Sequence, residues 1–135
     1  MKTMTKNQKY FGILVLIFSV TFFYYLNSAL KTEVYNNIWL YAIAFGILLF
    51  TSGLVLGYND SVRESRTDIG FQYHIITFIV VNIIGIPWLF ITMGININTM
   101  LNVTLQILPW GLGLLLHYYF SSRSIKGMNK KVLFD

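Results

Sequence analysis

The sequence predicts an all-α integral membrane protein, a four-helix bundle built from two antiparallel transmembrane hairpins within a single domain, residues 1–135. Three observations carry this. Four apolar segments are each close to the roughly 20 residues that a bilayer core of about 30 Å demands of a helix. Only 11% of residues are charged, where a soluble domain carries about 25%, and mean hydropathy is +0.62. The Lys and Arg residues gather at segment ends, as flanks of spanning helices do.

The segments follow in order. A basic start with Lys2, Lys6 and Lys9 precedes a first helix over about residues 10–30. A basic flank before an apolar run is also the pattern of a signal peptide. The apolar stretch is longer than such a signal needs, and Asn27-Ser28-Ala29 has a poor residue where cleavage requires a small one, so a retained helix is expected. Lys31 to Asn37 forms a link, and the second helix spans about 38–58. Asn59 to Gly70, with Asp60, Arg63, Glu64, Arg66 and Asp68, reads as a charged loop, with Thr67 or Asp68 as cap of the next helix. The third and fourth helices span about 70–93 and 100–121, joined by an uncharged link rich in Asn, Thr and Met. A basic tail closes the chain.

Counting Lys and Arg orients the bundle. Nine fall at the start, in the charged loop and in the tail, whereas the opposite side has Lys31 alone. The positive-inside rule then puts both termini in the cytoplasm, and the expected location is the bacterial cytoplasmic membrane. Aromatics fit as interface belts, with Tyr10, Tyr58, Tyr73, Tyr118 and Tyr119 inside and Tyr24, Tyr25, Tyr35, Trp39 and Trp88 outside. The basic clusters serve orientation, so nucleic acid is not an expected partner.

Several chemistries are excluded by residue type. There is no cysteine, which removes disulfide scaffolds, thiolate metal sites and dithiol redox chemistry. No acid or base lies inside the four apolar segments so delimited, so the embedded carboxylate that proton-coupled exporters use is missing. No Ser or Thr has an evident His base with an acid behind it. The expectation is a protein that is not an enzyme.

Two sets of residues remain as candidate sites. Ala42, Gly46, Gly53 and Gly57 form one stripe on the second helix, and Gly-x-x-x-Gly spacing lets membrane helices approach closely. Packing within the chain and self-association are both open. The second set lies on the third and fourth helices. Helical geometry puts His74, Phe78, Val81 and Gly85 on one face, with Asn82 at its edge, and Gln106, Trp110, Gly113 and His117 on another. In an antiparallel pair His74 and His117 stand level, each roughly 10–12 Å from the midplane. Either each imidazole bonds a neighbour or sits wet at headgroup level, or both serve as axial ligands of a haem with Arg66 and Arg123 near its propionates, or they hold a divalent metal. For the metal, two His without a third ligand make a poor site. Asn82 and Gln106 lie deeper and need partners there; the Trp110 indole is expected to reach Asn82.

The second half also carries Phe71-Gln72-Tyr73-His74, Val81-Asn82, Pro109-Trp110-Gly111-Leu112-Gly113-Leu114 and His117-Tyr118. This resembles the bacterial two-transmembrane (2TM) domain, a hairpin family with an H…VN element and a PxxGWGxGLxxH-like element; here the second is shortened, Pro109 directly preceding Trp110. The resemblance covers about residues 71–120 and implies a membrane module, alone or joined to signalling modules, with no activity of its own.

The functional expectation is a non-catalytic accessory or regulatory membrane module, acting through helix–helix contacts with another membrane protein or with itself. The alternatives are a haem-binding protein using His74 and His117, and an immunity protein against a membrane-active peptide.

Overall fold

The computed structural model describes residues 4–33, 36–64 and 69–127. They form four helices: α1 (Lys6–Thr32), α2 (Ile38–Glu64), α3 (Ile69–Met93) and α4 (Ile97–Gly127). All four are long and apolar enough to cross a membrane, the make-up of a multi-pass membrane protein.

Three helices run further than their hydropathy indicates: α1 and α4 start early and α2 ends late for local reasons, and α4 also runs past its expected end near residue 121 to Gly127. Thr5 caps α1: its hydroxyl accepts from the Gln8 N–H while the Gln8 side chain accepts from the Thr5 N–H. This capping box satisfies two otherwise orphaned donors and starts the helix at Lys6 rather than near Tyr10. Asn96 caps α4 by a single bond, its Oδ1 accepting from the Thr99 N–H, so α4 begins three residues early. Gly94, at φ 74°, makes the reversal before it. At the end of α2 no Gly or Pro interrupts the chain after Gly57, and the helix continues through Asp60 to Glu64. The expected loop 59–70 is thus overrun by helix as far as Glu64 and again from Ile69, and Thr67 and Asp68, its expected caps, lie outside the described residues.

Helix α1 packs against α2 and α3, α3 also meets α2, and among the described residues α4 rests on α3 alone. Ring contacts give the directions. Tyr25 stacks on Tyr41 and Phe22 on Phe45, so α1 and α2 run in opposite senses. Phe71 meets Tyr118, and Phe78 meets Trp110, so α3 and α4 do likewise. The core lies between α1 and α3, where Phe11, Val15, Ile69, Tyr73 and Val81 are buried.

The seam of α2 follows Phe45, Leu49, Ser52, Leu56 and Asp60, steps of three or four residues that keep one face toward α1 and α3. The small-residue stripe lies on its flank. Only half of that stripe is packed: a Cβ at Gly53 would touch the Phe11 ring at 3.5 Å, and one at Gly57 the Tyr73 ring at 3.8 Å. Ala42 is exposed, and nothing comes within 4 Å of a Cβ at Gly46. The expectation of a continuous packing stripe is corrected: the aromatics of α1 and α3 cover this flank only near the Asp60 end.

Candidate functional site: a histidine pair and a buried carboxylate

His74, near the start of α3, and His117, near the end of α4, meet across the contact between these helices. Their ring centroids are 5.0 Å apart with planes inclined at 70°. Phe71, one turn before His74, turns its ring edgewise to His117 at 5.8 Å. Both imidazoles are exposed at the surface of the bundle. Neither forms a hydrogen bond with any other described residue. Beside them an open apolar groove of about 410 Å³ runs between α3 and α4, lined by Phe71, Ile75, Phe78, Leu108 and Leu112 among others.

This geometry bears on what the pair can hold. With metal–nitrogen bonds of about 2 Å, two imidazoles on opposite sides of one iron have centroids about 6 Å apart; two ligands at a tetrahedral angle have them about 5 Å apart. The observed separation matches the second arrangement. A haem between the rings requires them to move apart. Arg66 lies outside the described residues, as does the side chain of Arg123. No group of three or more metal-ligating side chains occurs among the described residues.

Deeper in the bundle Asn82 is buried on α3. Its amide donates to the Phe78 carbonyl at 2.7 Å, and its Oδ1 accepts from Gln106 Nε2 of α4 at 3.3 Å. The expected partner, Trp110, instead packs edgewise on Phe78, with centroids 5.4 Å apart. Gln106, one turn before Trp110, stands at the Asn82 level, so the amide takes the place foreseen for the indole. Gly85 receives the Phe23 ring of α1, whose Cζ lies 2.9 Å from where a Cβ would stand. Nothing lies within 4 Å of a Cβ at Gly113, so it is not in contact with α3, contrary to the packing role expected of it. Ser19 of α1 is wholly buried, and its hydroxyl has no partner among the described residues.

The residue that sequence reasoning missed is Asp60. It is 3% exposed and closes the α1–α2–α3 junction. Its carboxylate accepts from the hydroxyls of Thr5 and Tyr73 and from the Asn7 amide. Beside it the Gln8 amide donates to Gln72 Oε1, a second tie between α1 and α3. Among the described residues no cation pairs with Asp60, and its donors there are all neutral. Tyr73 is accordingly not part of an interfacial belt: it is a core residue, ringed by Phe11 at 4.8 Å. Trp88 likewise turns inward to meet Phe23 at 5.0 Å. A period extended four residues beyond Leu56 would have pointed to Asp60.

The chain matches no protein-family model, and no curated protein or solved structure is significantly similar to it.

Proposed function

We propose that this protein is a non-catalytic accessory module of the bacterial cytoplasmic membrane, acting through helix–helix contacts with another membrane protein, with both termini in the cytoplasm. The observation that carries this reading is the position of α4, which has α3 as its one helical neighbour among the described residues. Leu101, Leu105, Leu112 and Leu116 are exposed along its outward face, and on the flank between that face and α3 nothing lies within 4 Å of a Cβ at Gly113. In a bilayer, apolar exposure by itself gives helices no reason to associate; small residues that allow close approach do. The α1–α2–α3 unit, tied by its core and by Asp60, supplies a rigid base from which α4 is presented. The resemblance of residues 71–120 to the 2TM hairpin supports the same reading, since that hairpin serves as a membrane module without chemistry of its own.

A photo-crosslinking residue placed at Leu112 or Leu116 in native membranes tests this, with Phe50 on the outward face of α2 as comparison. The expected result is one discrete protein adduct from the α4 positions and none from Phe50. Lipid adducts alone at all three positions would sink the proposal.

A further inference from the structure

We propose that His74 and His117 form a two-imidazole site for a borderline divalent transition metal ion, of which Zn²⁺ is the representative, with its remaining coordination positions open. Three observations on the pair converge. The 5.0 Å centroid separation matches two imidazoles at a tetrahedral angle around one ion with bonds of about 2 Å. The rings come from two different helices that are in contact, so the ion would cross-link α3 to α4, the helix with least support. The ring nitrogens have no hydrogen-bond partner among the described residues, and both rings are exposed, so an ion can reach them. Neutral imidazole is a good ligand for this class of ion, and no bond to another side chain must be broken for either ring to bind.

No carboxylate or third imidazole completes the site among the described residues. The ion therefore keeps two or more positions for water or an incoming ligand, and it binds weakly enough to exchange. This separates the site from a closed structural zinc site with four protein ligands. It also separates it from haem ligation, where the rings stand on opposite sides of the iron at about 6 Å. The inference does not depend on the accessory-module reading, since metal binding is measured on the isolated chain.

The test uses the full chain, free of any histidine tag, stripped of metal in detergent micelles. Titration with Co²⁺ should develop the visible absorption of four-coordinate cobalt at one ion per chain, and Zn²⁺ should displace it. His74→Ala and His117→Ala should each weaken binding by about tenfold or more, with helical content unchanged. Pulsed electron paramagnetic resonance of the Cu²⁺-loaded wild-type chain provides a measurement that does not depend on the variants folding. It should count two coordinated imidazoles. A count of one or none overturns the proposal, as does Co²⁺ binding that survives in the double variant, or wild-type protein that takes up hemin in a His-dependent manner but not Co²⁺.

Discussion

The Tyr73 hydroxyl donates to the Asp60 carboxylate at 2.9 Å, joining α2 to α3 where both residues are buried. The same carboxylate oxygen accepts from the Thr5 hydroxyl, so one atom ties together the three helices of the core. Removing the carboxylate strands the donors of Thr5, Asn7 and Tyr73. Asp60→Ala should therefore destabilise the bundle by several kcal/mol, at about 1–3 kcal/mol for each donor left buried without a partner. Tyr73→Phe removes one donor from a carboxylate that keeps two others, and should cost about 1.5–3 kcal/mol, less than Asp60→Ala. Reversible unfolding in mixed micelles measures both. Equal effects of the two variants would show that Asp60 is not the hub.

The flank of α2 predicts a position-dependent response to bulk. Gly53→Leu and Gly57→Leu force side chains onto the rings of Phe11 and Tyr73. Overpacking of this kind costs about 1–3 kcal/mol. Gly46→Leu enters open space and should leave the melting temperature unchanged. A loss at Gly46 matching that at Gly53 would mean that another surface covers this flank.

Gly85 and Phe23 should behave as a coupled pair. A methyl group at position 85 would stand 2.9 Å from Phe23 Cζ, and that ring is held by Phe22 and Trp88. Gly85→Ala alone should lower stability, and adding Phe23→Leu should recover part of the loss. Strictly additive effects in the double-variant cycle would argue against the contact.

The amide pair is expected to contribute modestly. Hydrogen bonds between membrane helices average about 0.6 kcal/mol, with a maximum near 1.7. At 3.3 Å the Gln106–Asn82 bond belongs at the lower end. A cycle of Asn82→Ala and Gln106→Ala should give a coupling in that range; a coupling of several kcal/mol would imply a buried polar ligand between them.

The proposed orientation is checked by single cysteines at Thr3, Asn96 and Ser124 in a chain that has none of its own. An impermeant thiol reagent applied to intact cells should label only Asn96→Cys. Labelling of Thr3→Cys or Ser124→Cys would invert or break the topology.

Much of the architecture was legible without coordinates. Hydropathy is a property of composition, and a helix is the cheapest way to hide a backbone from lipid, so four apolar segments sufficed to predict four long helices. The adjacency of His74 and His117 was also within reach, because depth along a helix is a matter of counting at 1.5 Å per residue. Pairing along the seams was not. Hydropathy treats Asp60 as the start of a loop, since it counts charge and ignores which face the residue occupies. Only packing shows that the Leu49–Ser52–Leu56 face continues to a carboxylate met by Thr5, Asn7 and Tyr73.

The sequence by itself determined the number of helices, their apolar lengths, the absence of thiol chemistry and the level at which each polar side chain sits. These depend on residue type and rise per residue, which are local. The tertiary structure alone decided that α3 packs on both α1 and α4 and that α4 has one helical neighbour among the described residues. It also decided that Gly53 and Gly57 are covered while Gly46 and Gly113 are not, and that Asn82 meets Gln106 rather than Trp110. The physical reason is that lipid tails are as apolar as the helices, so hydrophobicity sets no preference among helix faces. That choice falls to shape and to the few hydrogen bonds, and both depend on residues far apart in the chain.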